Sequence, residues 1–247
     1  MTPLDAVVAL VAALAAGVQT AVGMGFALVL SPVLLVATTP RPAILILTVL
    51  GLMVNVITLV RGRHRMQVAW EEVGPILLAA VPGSLGGLLL LRALSKPTIE
   101  TAVGAMVVVL ALARLTHLEP TVSGPVRVAR LTVGALAGVL STASGINGPP
   151  LAIWLSQRRL SATAIRDSLA VIFLGTGAIT TLTLLPDVAG TQLPWTLAGL
   201  ALLAVLAGQL AGHHIHLRAS TEQLRRALSL IILLTGILAL LSGLGVL

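Results

Sequence analysis

Two short stretches gather the residues best suited to coordinate a solute in a chain that is otherwise apolar. They are Gly23-Met-Gly-Phe-Ala-Leu-Val-Leu-Ser-Pro32 and Gly145-Ile-Asn-Gly-Pro-Pro-Leu151. Glycine lets a ligand approach the backbone closely, while proline removes a donor and bends the chain. If each stretch breaks a helix, it frees backbone groups that can replace a solute's water shell. In lipid such irregular backbone is tolerated only where it is shielded or lines a cavity. The unpaired N–H groups at the start of the returning helix, together with its dipole, favour an anion. The candidate binding residues are Gln19, Thr20, Gly23, Gly25, Ser31 and Pro32 at the first stretch. At the second they are Ser144, Gly145, Asn147, Gly148 and Pro149, flanked by Ser141, Thr142 and Pro150. Asn147 is the sharpest of these, because its amide is costly against lipid and useful against a solute. Asn55 and Gln209 are second-tier candidates, equally suited to bonding between helices.

The acidic residues narrow the chemistry. All eight, Asp5, Glu71, Glu72, Glu100, Glu119, Asp167, Asp187 and Glu222, fall at or near the ends of apolar runs. No mid-membrane acid is therefore expected as a cation ligand or proton relay, which points to an anionic or neutral solute. Ion coupling through backbone carbonyls stays open. Arg166 and Asp167 are candidates for an ion pair or gate near the second stretch. His213, His214 and His216 lack an acidic or Cys partner for a metal and read as an interfacial cluster. Ser141-Thr-Ala-Ser-Gly145 has no intramembrane His partner, so hydrolysis is not expected and no cofactor is implied.

These residues sit in a chain of 247, of which 57% are hydrophobic and 9% charged, a balance that only a membrane can accommodate. Hydrophobic runs at 4–38, 43–60, 73–91, 98–113, 131–157, 168–185, 194–212 and 227–246 predict an all-α polytopic membrane protein with about eight segments of roughly 20 residues each. A continuous helix of about 33 residues would be roughly 50 Å long against a hydrocarbon core of about 30 Å. Runs 4–38 and 131–157 are therefore expected to divide into half-helices. The N-terminus lacks a basic signal-peptide region, so the first run is read as retained. The absence of cysteine excludes disulfides and thiolate metal sites.

The two halves correspond. Gly23 matches Gly145 at an offset of 122 residues. Gln67 and Trp70 match Gln192 and Trp195, and Gly83 and Gly87 match Gly208 and Gly212, at 125. This order predicts one membrane domain over 1–247 built of two repeats, near 4–115 and 127–247. Loop charge chooses between parallel and inverted duplication. If each broken run enters and returns on the same side, or crosses twice, twelve of the fifteen Lys and Arg share one side of the membrane, and only Arg41, Arg92 and Lys96 lie opposite. The net charge of +7 then reports orientation rather than nucleic-acid binding. Inverted repeats with both termini outside follow, with the two breaks meeting near the bilayer centre and one repeat moving against the other. Trp70, Trp154 and Trp195 near segment ends read as interfacial anchors.

At the same residues the chain resembles the sulfite exporter TauE/SafE family, whose repeats each open with a Gly-rich, Pro-terminated segment. Gly23, Gly25 and Pro32 match the first pattern, with Phe26 and Ala27 replacing further glycines; Gly145, Gly148, Pro149 and Pro150 match the second. The resemblance implies a bacterial inner-membrane permease for small oxyanions such as sulfite or organosulfonates, often working outward, with homo-oligomerisation left open. A non-transporting membrane scaffold or assembly factor is the alternative, and it would lack a solvent-reachable cavity between the breaks. A reporter fused after Leu247 is expected to read outside the cell; a cytoplasmic reading removes the inverted arrangement.

Overall fold

The computed structural model describes residues 3–62, 66–115, 124–189, 191–216 and 221–246, leaving aside the side chains at 21–22, 62, 114–115, 212–216 and 221–228. The histidine cluster at 213–216 lies outside the described side chains. Among the described residues the chain is all helical: α1 (Pro3–Val22), α2 (Phe26–Ala37), α3 (Pro40–Gly62), α4 (Trp70–Ala93), α5 (Lys96–Leu115), α6 (Val126–Ser144), α7 (Gly148–Ser156), α8 (Ala162–Val188), α9 (Trp195–His216) and α10 (Thr221–Gly243). Among the described residues, six helices are long and apolar enough to cross a membrane. Three shorter apolar stretches, Phe26–Ala37, Trp195–Ala211 and Ser229–Gly243, accompany them.

Local chemistry sets the helix ends. The apolar run 4–38 contains α1 and α2. Gly23, at φ 86°, closes α1 by donating its N–H to the Gln19 carbonyl at 2.8 Å, and Gly25, at φ 119°, opens α2. Left-handed backbone of this kind suits glycine. In the later run α6 ends at Gly145, φ 75°, whose N–H meets the Ser141 carbonyl at 2.9 Å. Pro149 and Pro150 lie in the first turn of α7, where a missing N–H costs no helical bond. Ser161 caps α8, its hydroxyl accepting the Ala164 N–H at 3.1 Å.

Polar ties mark the two ends of the bundle. At one end Asp167 accepts the Gln67 N–H (2.8 Å), and Ser168 accepts that of Ala69 (2.9 Å). There the starts of α4, α6 and α8 and the end of α7 gather near a buried carboxylate. Glu72 accepts from Arg130 of α6 at 2.9 Å and from the Trp154 indole of α7 at 2.8 Å. Trp154 is thus no interfacial anchor: it is 1% exposed, with the Arg158 guanidinium 3.6 Å from its ring centroid. Its N–H is consumed inside the protein, whereas Trp70 and Trp195 stand exposed at the starts of α4 and α9. At the other end Asp187 of α8 pairs with Arg92 of α4 and Arg41 of α3. Nearby, the end of α10 meets the start of α5 as Ser242 donates to Glu100 at 3.0 Å.

Arg130 and Trp154 reach the same carboxylate, so α6 leaves the Glu72 end and α7 returns to it. The end of α1 lies at that same end, held by Arg166 of α8, whereas α2 leads to Pro40 and the Asp187 end. α1 and α6 therefore run in opposite directions. The closest packing joins α4 to α6, α1 to α9, α5 to α10 and α3 to α8. A Cβ on Gly83 would overlap the Ala135 carbonyl, one on Gly138 the Ala80 carbonyl, and one on Gly208 the Ala13 carbonyl. Such small residues let helix backbones touch where lipid offers no hydrophobic drive to association. Gly83→Val is expected to destabilise the protein by about 1–3 kcal/mol through overpacking. Gly74→Ala, with nothing within 4 Å of its new methyl, should melt at or slightly above wild type. Thermal unfolding in detergent checks both.

Candidate functional site

The chain segments at Gly23–Gly25 and Gly145–Asn147 border a single cleft. Its cavity volume is about 60 Å³, on a measure where one water needs roughly 10–15 Å³. Of the sequence-predicted residues, Gln19, Gly25, Asn55, Gly145, Asn147 and Gly148 line it, together with Ser141. The first turns of α2 and α7 both face this space, and no carboxylate among the described residues lines it.

At the start of α2, three backbone N–H groups have no helical acceptor. Gln19 takes one of them, its Oε1 accepting the Phe26 N–H at 3.2 Å. Gln19 is itself held by Asn55, whose Oδ1 accepts from Gln19 Nε2 at 3.3 Å while its Nδ2 donates to the Gly51 carbonyl at 2.7 Å. This relay orients both amides and leaves the N–H groups of Ala27 and Leu28 without an acceptor among the described residues. Both residues line the cleft. The N-terminal end of a helix dipole carries roughly half a positive charge, so the two unpaired donors make this wall of the cleft electropositive.

The start of α7 is built differently. Its second and third positions are Pro149 and Pro150, so Gly148 is the one first-turn residue able to donate. Asn147 makes no side-chain cap. Its Nδ2 donates instead to Thr176 Oγ1 at 2.6 Å, and that hydroxyl donates onward to the Ile172 carbonyl at 2.8 Å. The Thr176 proton is thus engaged, and the Asn147 amide is oriented with its nitrogen toward α8. The geometry gives the first stretch more free donors than the second.

The remaining candidates support the walls. Thr20 donates to the Ala16 carbonyl (2.9 Å) and to Gln209 (3.1 Å), and Gln209 donates to the Val54 carbonyl (3.2 Å). Ser31, beside Pro32 inside α2, donates to the Ser144 carbonyl at 2.6 Å, which ties α2 to the end of α6. The Ser144 hydroxyl is spent on the Leu140 carbonyl and the Ile146 N–H. Arg166 does not reach the second stretch. Its Nη2 donates to the Thr20 carbonyl at 3.1 Å, and its stem lies against Gly23, so it caps the C-terminal carbonyls of α1. Asp167 engages the Gln67 backbone, and among the described residues the two neighbours form no ion pair.

The cleft also uses residues that sequence reasoning passed over. Both phenylalanines of the chain, Phe26 and Phe173, line it, as do Met24, Thr48 and Gly177. The scarcity of Phe in so apolar a chain was the available signal. Thr176 could not be singled out from other threonines without knowing that α8 faces Asn147.

No curated protein and no solved structure matches the chain. The family model described as Sulfite exporter TauE/SafE matches residues 8–239, nearly the whole length. That is a family of membrane transporters, not of enzymes. With six helices able to span a membrane and a match of this extent, the chain belongs to the sulfite exporter TauE/SafE family.

Proposed function

We propose that the protein is a secondary carrier that exports small anions, such as sulfite, sulfonates or related organic anions, across a bacterial inner membrane by alternating access. The observation that carries this reading is the cleft with two helix N-termini turned toward it, unpaired N–H groups at Ala27 and Leu28, and no carboxylate in its lining. A scaffold would be expected to pair its polar backbone and leave no cleft between the breaks. Gln19 and Asn147 act as side-chain contacts through amide protons that have no acceptor among the described residues, and Gly25 and Gly148 allow close approach.

The reading of 4–38 and 131–157 as broken membrane segments draws support from α6 and α7 leaving and returning to the same end. The opposed directions of α1 and α6 support two inverted repeats. Further support comes from packing: Gly83 against Ala135 and Gly208 against Ala13 are the same contact at offsets of 125 and 122 residues. Arg61, Arg127, Arg130, Arg158, Arg159 and Arg166 belong to the Glu72 end, and Arg41, Arg92 and Lys96 to the other. The positive-inside rule makes the first end cytoplasmic and both termini external.

Reconstituted liposomes loaded with sulfite, methanesulfonate or sulfoacetate are expected to show carrier-dependent flux of at least one anion. Asn147→Leu should lower that flux at least tenfold. If no anion of the panel moves, the carrier reading fails. Ala27→Pro removes one donor at a first-turn position where α7 already carries proline. A lost bond to a charged group is worth about 1.5–3 kcal/mol, so KM should rise tenfold or more with little change in melting temperature. An unchanged KM in the folded variant would take the α2 terminus out of the site.

A further inference from the structure

Beyond the cleft lies a second polar cluster that the anion site does not use. Thr180 donates to Ser141 at 2.8 Å and lies 3.1 Å from Thr142; Ser84 lies 2.8 Å from Thr142 and donates to Thr183 at 2.9 Å. Ser84, Thr142 and Thr180 are fully buried, and Ser141 touches the cleft. The cluster extends from the cleft toward the Asp187 end, where α8 finishes.

Its pattern repeats that of the amides. Gln19 and Ser141 are 122 residues apart, as are Thr20 and Thr142; Asn55 and Thr180 are 125 apart, as are Ser84 and Gln209. The bond Gln19–Asn55 therefore corresponds to Ser141–Thr180, and Thr20–Gln209 corresponds to Thr142–Ser84. One half makes these ties with long amides and the other with short hydroxyls. The helix partners correspond as well. In each set one bond lies within a closely packed pair, α1–α9 or α4–α6, and the other joins that pair to α3 or to α8.

We propose that Ser84, Ser141, Thr142, Thr180 and Thr183 form the barrier that separates the cleft from the Asp187 end. They are the counterpart of the amide set Gln19, Thr20, Asn55 and Gln209 on the Glu72 side. Transport then opens one set at a time. The bodies that part are not the two sequence halves, since α1–α9 and α4–α6 each combine a helix from both halves and are locked backbone to backbone at Gly208 and Gly83. α8 leaves the α4–α6 pair to open the Asp187 end, and α3 leaves the α1–α9 pair to open the Glu72 end. A hydroxyl freed from its neighbour can bond water or an oxyanion, so opening exchanges partners instead of stranding them.

This inference rests on the carrier reading, and the absence of cysteine gives it a background-free test. The variant S84C/T183C replaces hydroxyls 2.9 Å apart, a separation compatible with a disulfide after small adjustments. Oxidation should tie α4 to α8. Flux of the anion that wild type carries should fall at least tenfold in the cross-linked molecules, with the loss tracking the cross-linked fraction measured by mass spectrometry at the end of the assay. Oxidant-treated wild type should keep its flux, and reducing the cross-linked variant should return it to the flux that variant had before oxidation. Undiminished flux in cross-linked protein overturns the barrier. If that variant does not fold, S141C/T180C places the same tie between α6 and α8, with the same two outcomes. A wild type that moves nothing removes the carrier reading and this inference with it, whereas active wild type with active cross-linked protein removes the inference alone.

Discussion

Backbone N–H and C=O groups inside a membrane protein need partners, because lipid offers none and each unmet group costs several kcal/mol. Ending helices inside such a bundle is therefore expensive, and here the cost is limited by the groups around the turns at Gly23–Gly25 and Gly145–Asn147. Gly23 and Gly145 fold the last N–H of each outgoing helix back onto it. Arg166 covers a carbonyl at the end of α1. Gln19, braced by Asn55, takes the first N–H of α2, and prolines remove two donors from α7. Among the described residues the N–H groups of Ala27 and Leu28 stay unpaired, on residues that line the cleft.

The two interruptions solve this problem unequally. α2 keeps its donors and satisfies one through a side-chain relay spanning α1 and α3. α7 discards donors by using proline and anchors its leading asparagine to α8. A similar inequality runs through the tertiary bonds, where amides in one half stand in for hydroxyls in the other. Amides span longer gaps and have several donors and acceptors, whereas hydroxyls require close approach. The glycines of α4 and α6 permit that approach. Gly83, Gly134 and Gly138 each meet partner backbone, and the neighbouring Ser84 and Thr142 come within 2.8 Å.

Interlacing of the halves has a mechanical consequence. The most extensive packing joins helices of opposite halves, so sliding one half past the other would break the tightest interfaces in the molecule. Motions that part α3 or α8 from these pairs disturb looser contacts made largely by side chains. Cores held by backbone contact behave as rigid bodies, and discrete changes concentrate at the interfaces between them.

Composition, apolar run length and the places of glycine and proline were sufficient to define a polytopic helical membrane protein and to locate the turns at Gly23–Gly25 and Gly145–Asn147. These are local consequences of length and backbone freedom. The polar residues beside them could be named as candidates, and Gln19, Asn55, Ser141 and Asn147 line the cleft. Which atoms remain free was beyond sequence, because it depends on partners distant along the chain: Asn55 for Gln19, Thr176 for Asn147, and Glu72 for Trp154. Trp154 shows the limit plainly. A tryptophan near a segment end suits the interface by type, and only the buried carboxylate brought to it by α4 turns it inward. Arg166 likewise lies near the second stretch in sequence yet caps the first, because packing across the bundle, not separation along the chain, decides which carbonyls a guanidinium meets.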